Sequence, residues 1–409
     1  MSAHDPMNRR TLLAGLAAGV ASLARPASAQ APAAVDPSTV LGPGSTPTGE
    51  RSAHEAFRAL APQGVVTGPS YSPLHQFVGT LTPTDLQFQR HHAGIAQIDP
   101  THWQLLIHGL VDRPLVFTLD ELKRFPSETR IAFLECAGNG RASFRAPKPE
   151  LTVQEIDGLT ANLEWTGVRL SLVLREAGVR PEATWMLAEG GDASRLARSV
   201  PIAKALDDAM LVYAANGEPL RPAHGYPVRL LLPGWEANTN IKWLRRLELA
   251  DEPGMFRDET AKYTEPLADG TARQFSFVMD AKSAITAPTY PTRLTGTGWW
   301  PISGLAWSGR GAIRRVEVST DGGATWSDAN LLGTPLPKAH VRFELPWNWT
   351  GGEAVLMSRA TDDTGYVQPT VAEFRRVRGP GTDLHYNAIR AWHVAPDGAV
   401  TFHPDPEAA

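Results

Sequence analysis

The 409-residue sequence predicts an α+β domain over about residues 75–270, followed by an all-β sandwich over residues 271–409. Three observations carry this. Strand-like and helix-like segments are mixed between residues 103 and 234, whereas from about residue 275 short alternating strands and tight turns repeat. Glycine (36) and proline (34) are abundant, which favours turns and strands over long helices. Twelve tryptophans include a run of six within about fifty residues, Trp299 to Trp349, as expected of a β core and its interface.

The elements follow in order. Asn8-Arg9-Arg10-Thr11 precedes an apolar run, Leu12 to Leu23, and then Ala27-Ser28-Ala29. A charged start, a short apolar stretch and a small-residue site make residues 1–29 a signal peptide, and the apolar stretch is too short to leave a membrane span after cleavage. The paired arginines fit a twin-arginine signal, which exports folded protein to the periplasm; a general secretory signal is the plainer reading. Residues 30–74, rich in Ala, Pro, Ser, Thr and Gly, read as an irregular arm.

Within the first domain, residues 103–110 form a strand, and Thr118 caps a helix start with Glu121 three residues on. Residues 129–135 form a strand that delivers Cys136 at its end. Residues 168–178 have helical spacing with Gly178 as the stop, and residues 226–234 are a buried-type strand bounded by breakers. In the second domain, residues 313–319 alternate, Asp321-Gly322 makes the hairpin turn, Trp326 begins the return strand, and residues 354–360 form another strand. This is an immunoglobulin-like pattern without its disulfide.

The net charge of −4 supplies no global basic field to attract nucleic acid. The single cysteine, Cys136, permits no intrachain disulfide and no Cys-x-x-Cys-His site for covalent haem. Cys136 stands in Phe133-Leu134-Glu135-Cys136-Ala137-Gly138-Asn139-Gly140-Arg141. Glycines after it permit close backbone approach to a ligand, and a thiolate is a soft metal ligand. Taken alone, the motif reads first as a buried structural cysteine beside a glycine turn.

The stretch Phe133 to Asn139 resembles the molybdenum-binding segment of the sulfite oxidase family, and further stretches match in order: Arg90-His91-His92, His224-Gly225-Tyr226-Pro227-Val228-Arg229, Lys242-Trp243-Leu244 and the hairpin Val318 to Trp326. The resemblance covers roughly residues 75–395. It implies a molybdopterin-binding domain, an immunoglobulin-like dimerisation domain and a likeness to homodimers. It implies a molybdenum–molybdopterin cofactor with Cys136 as the metal ligand, His92, Asn139, Asp192, His224, Arg229 and Lys242 around the pterin and its phosphate, and Arg90 and Tyr263 on the substrate side. The chemistry implied is oxygen-atom transfer to sulfur.

One departure stands out. Ala391-Trp392-His393 aligns without gaps, and a second anion-binding arginine of the sulfite-oxidising members falls on His385. Arg141 and Arg145 are the alternative source of charge. Stretches around Phe88 to Gly94, His108 to Pro114, Phe256 to Thr260 and Ala281 to Thr286 resemble the molybdenum subunit of Sox-type sulfane dehydrogenases. That branch implies sulfane sulfur on a carrier-protein cysteine as substrate and a separate c-type cytochrome subunit as electron acceptor. The alternatives are a sulfite dehydrogenase, a reductase of oxidised methionine, and a non-catalytic exported binding module. A zinc site on His91-His92 completes no zinc-ligand spacing.

Overall fold

The computed structural model describes residues 39–42, 44–61, 65–267, 269–379 and 382–404; the expected signal peptide lies outside them. The chain divides into a unit ending at Ala56 and a unit from Phe57 to Ala409. Described residues of the first are irregular and exposed.

The second unit opens with two five-stranded sheets. One has the order Leu115–Thr118, Gln104–Gly109, Leu244–Ala250, Trp185–Gly190, Ala197–Pro201, with a single parallel pair between Gln104–Gly109 and Leu244–Ala250. The other is antiparallel, built on Ser127–Glu135, Thr160–Arg169 and Met210–Ala215, with Glu218–Pro219 and Arg229–Leu231 both pairing the last of these. Leu170–Ala177 is a helix because Leu170, Val173, Leu174 and Ala177 repeat at helical spacing and all bury into the core between the sheets. It starts two residues later than its spacing predicts, because Val168 and Arg169 still pair with Leu211 and Met210. Gly178, at φ 70, stops it. Both predicted partners of the Thr118 capping box are made.

The remainder is a sandwich of two antiparallel sheets. Lys282–Ala287, Gly298–Trp307, Val341–Trp349 and Asn330–Leu332 form one. Ser327–Asp328, Ile313–Ser319, Ala354–Asp362, Ala391–Val394 and Val400–His403 form the other. Ile302, Val316, Val318, Phe343, Leu356 and Trp392 fill the space between them. The connection after Val318 is longer than the tight Asp321-Gly322 hairpin the sequence predicts: Asp321 Oδ1 accepts from Thr325 N (2.9 Å), and the return strand begins at Ser327, opposite Val318 and one residue after Trp326. Of the clustered tryptophans, Trp307 and Trp349 are core, whereas Trp299 is 72% exposed.

The segment expected to be an arm up to residue 74 differs over its last part. Pro69–Ser70 pairs with Gln89–Arg90, and Leu74 is fully buried against Phe133 and Trp307. Its small polar composition hides a few apolar anchors, and these suffice to dock it.

Candidate active site

Cys136 emerges where the strand Ser127–Glu135 ends and the chain turns. Its N–H donates to Leu159 (3.0 Å), its carbonyl accepts from Asn139 (2.9 Å), and Gly140 donates to Ile156 (2.9 Å). Gly140 sits at φ 91, and a Cβ there would meet the Arg390 side chain, so this turn requires glycine. Cys136 is half-buried and packs on the apolar cluster of Leu134, Leu159 and Trp165. Burial pushes its thiol pKa up, against the backbone N–H of Gly138 and the charges of Arg90 and Arg141.

A cavity of about 670 Å³ opens on one side of Cys136. Arg90, His92, Asp192, His224, Arg229, Lys242 and Tyr263 all line it, although they come from five separate stretches of sequence. The elements explain the convergence. The turn Pro222–His224 ends at Gly225, whose φ of 109 lets the backbone pass within reach of Lys242 and Arg229. Arg229 begins the strand Arg229–Leu231 and is 2% exposed; its guanidinium donates to the carbonyls of His224 and Asn240, both at 3.0 Å. The Lys242 ammonium donates to His91 Nδ1 (2.8 Å), Ala223 O (3.0 Å) and Arg90 O (3.2 Å). Arg90 donates to Thr67 O (2.8 Å) and to His91 O. Tyr263 Oη lies 3.1 Å from His92 Nε2, and the Arg198 guanidinium covers the tyrosine ring at 5.0 Å.

The electrostatics of this cavity call for an anion. Arg90, Arg229 and Lys242 line it against one carboxylate, Asp192, which is already engaged by Ser194 and Leu196. Burial, then Arg229, drives the Lys242 pKa well down; burial alone brings Arg229 to about 9. His91 and His224 fall to about 3, through burial first and then the neighbouring cations. Both imidazoles are neutral at pH 7 and can accept as well as donate. Three buried atoms of lining residues, His224 Nε2, Arg229 Nε and Asn238 Oδ1, have no hydrogen-bond partner among the described residues. Buried polar atoms and charges left this way are costly, and a phosphate-bearing, nitrogen-rich heterocycle would satisfy them. The residues present therefore fit a phosphorylated pterin. Among the described residues no cluster of three His, Cys, Asp or Glu side chains could hold a metal, so a metal on Cys136 would draw its other ligands from the cofactor.

A second cavity, of about 790 Å³, opens on the other side and shares only Arg90 and Cys136 with the first. Tyr71, Arg141 and Arg145 line it. The alternative charges named from the sequence thus do face Cys136.

Two expected site residues lie elsewhere. Asn139 is 1% exposed and lines neither cavity; its amide donates to Glu135 Oε1 (2.9 Å) and its Oδ1 accepts from Leu159 N (3.0 Å), so it braces the cysteine turn. His385 is 3% exposed at φ 54; its N–H donates to Ala137 O (2.7 Å) and its Nε2 meets Glu236 Oε2 at 3.1 Å. It stands two hydrogen bonds behind the cavity, through Glu236 to the lining residue Asn238, because Glu236 claims its ring. Glu236 also holds Asn238 (2.7 Å) and Arg198 (3.2 Å), and its pKa drops to about 2 against its own burial, chiefly through Arg198. Sequence reasoning missed His91, Asn238 and Asn240. The polar run Glu236 to Asn240 between two apolar strands was the available signal.

Comparison with known proteins agrees with this geometry. Residues 92–256 match the oxidoreductase molybdopterin binding domain, and residues 273–391 match the Mo-co oxidoreductase dimerisation domain. Mitochondrial sulfite oxidase of Rattus norvegicus is 32% identical over 341 residues, covering 76% of this chain and 60% of the relative. Sulfite oxidase of Gallus gallus is 32% identical over 324 residues, covering 73% and 70%. The chain thus spans about 60% of the rat enzyme's length. The structure of the sulfane dehydrogenase SoxCD from Paracoccus pantotrophus superposes with a TM-score of 0.83 at 43% identity, covering 94% of this chain and 98% of that one.

Proposed function

Because the chain belongs to the sulfite oxidase family of molybdopterin oxidoreductases, we propose that it oxidises sulfane sulfur carried on the cysteine of a partner protein and passes the electrons to a c-type cytochrome. The observation that supports this reading is the pair of cavities meeting at Cys136 and Arg90, one enclosed by buried cations and the other lined by arginines. The likeness to a sulfane dehydrogenase favours protein-borne sulfur as the substrate.

In this reading Cys136 ligates the molybdenum, which when bound supplies a two-electron oxidation of sulfur. Arg229, Lys242, His91 and His224 hold the pterin phosphate, with His92 and Asp192 on the pterin itself. Arg90, reaching both cavities, and Arg141 hold the anionic sulfur group in a fork. Tyr263, fixed by His92 and Arg198, presents a hydroxyl whose proton burial holds on firmly. Asn139 and His385 act through the backbone of the cysteine turn, as positioning residues. The paired arginines Arg9-Arg10 suit export of the folded, loaded enzyme to the periplasm, and the dimerisation domain suits a homodimer.

A second reading, a dehydrogenase of free sulfite, draws on the likeness to sulfite oxidases. Steady-state oxidation of sulfite and of a thiosulfate-loaded carrier protein, each with a c-type cytochrome as acceptor, separates the two. The proposal expects kcat/KM at least about tenfold higher for the carrier. A preference for free sulfite replaces it with the second reading.

A further inference from the structure

Two arginines that line the second cavity already hold a carboxylate, Asp383, which stands beside them and is not itself part of the cavity wall. Asp383 Oδ2 lies 3.5 Å from Arg141 Nε and directly against Arg145 Nη2, and the Asp383 carbonyl accepts from Arg141 Nε at 3.3 Å. Arg90, the third guanidinium there, donates among the described residues to the neutral carbonyls of Thr67 and His91. Glu155, the carboxylate that does line this cavity, accepts from the Thr152 N–H and hydroxyl as a helix cap, at 2.9 and 2.8 Å. Among the described residues, Asp383 is the carboxylate ion-paired with both Arg141 and Arg145. The side chains of Asp383 and Arg141 are 27% and 37% exposed, so water reaches the pair and it can exchange partners.

We propose that Asp383 is a specificity-determining residue, a resident carboxylate that a free sulfur oxoanion must displace from Arg141 and Arg145. A small anion draws all its binding from these guanidiniums and meets the like charge of Asp383. A sulfur group carried on a protein gains binding from the carrier's own surface and tolerates the weakened anion site. The inference deepens the proposed function and rests on its placing the substrate in this cavity.

The test uses holoenzyme with Asp383→Asn, and with Asp383→Ser should the first variant fail to fold. Sulfate serves as a non-reacting anion in isothermal titration calorimetry, and sulfite kinetics follow kcat and KM separately. Sulfate is expected to bind the variant about tenfold more tightly, about 1.4 kcal/mol, and KM for sulfite to fall by a similar factor with kcat within about twofold. Replacing Arg145 by Gln in the same variant is expected to cancel the gain. Unchanged or weaker sulfate binding in a folded, molybdenum-loaded variant overturns the proposal. Loss of sulfur oxidation by the loaded wild type would instead sink the proposed function, while the sulfate comparison still decides the role of Asp383.

Discussion

Replacing Lys282 by Met probes how the second domain holds the cysteine turn. Lys282 Nζ meets Glu135 Oε1 at 2.5 Å, and both residues are fully buried. Trp307 Nε1 donates to Glu135 Oε2 (2.7 Å) and Asn139 Nδ2 to Oε1 (2.9 Å). Glu135 precedes Cys136, so two residues of the sandwich fix the position of the proposed metal ligand. Methionine nearly matches the lysine in volume, so little cavity is left and the loss is mainly electrostatic. Removing one partner of a buried ion pair costs about 3–5 kcal/mol. The two remaining N–H donors place this case near the lower end, about 3 kcal/mol. For a chain this long, roughly 1–2 °C accompanies each kcal/mol, so calorimetry should show a Tm fall of about 3–6 °C. Adding Glu135→Gln removes the stranded charge and should restore at least about half of the loss. A Lys282→Met shift under about 1 °C, or a double variant as unstable as the sum of the singles, would refute the reasoning.

Two further outcomes follow from the same physics. Lys242→Met removes an ammonium donating to three acceptors at the cofactor cavity, at a cost of about 1.5–3 kcal/mol per charged hydrogen bond to the phosphate. Pterin per chain after gel filtration should drop, reflecting roughly ten- to a hundredfold weaker retention, and a wild-type pterin content would contradict the assignment. Burial holds the His340 pKa at about 3, between the rings of Phe133 (6.0 Å) and Trp307 (4.8 Å). The unfolded chain takes up that proton below about pH 6.5 while the native state refuses it until about 3, so this contribution is full above 6.5 and lost as pH falls toward 3. At pH 5 the loss is about 2 kcal/mol; His340→Gln should remove it, which denaturant titrations at pH 7 and pH 5 would show as a smaller difference between the two.

The parts legible in the sequence were those set locally. The Thr118 capping box and the Gly178 stop each depend on a few neighbouring residues, and each formed, whereas the tight turn expected at Asp321-Gly322 is part of a longer loop. The convergence of Arg90, Cys136, Arg229 and Lys242 on one cavity was legible only through resemblance, because no local rule brings residues this far apart in the chain together. What the sequence could not show was side-chain allegiance. His385 aligns with an anion-binding arginine, yet Glu236, far away in sequence, takes its ring. Asn139 sits in the cysteine motif but turns to Glu135. The Glu135–Lys282 pair and the Asp383 clamp join distant segments, and composition carries no trace of either.

The central claim is that Cys136 holds molybdenum in a pterin-loaded cavity. Metal and pterin analysis of the mature protein, purified from a host that makes the cofactor and compared with Cys136→Ser, tests it most directly. About one molybdenum per chain is expected in the wild type, and its loss in the variant. Folded wild-type protein without molybdenum, or a variant that retains it in full, would show that Cys136 is not the metal ligand.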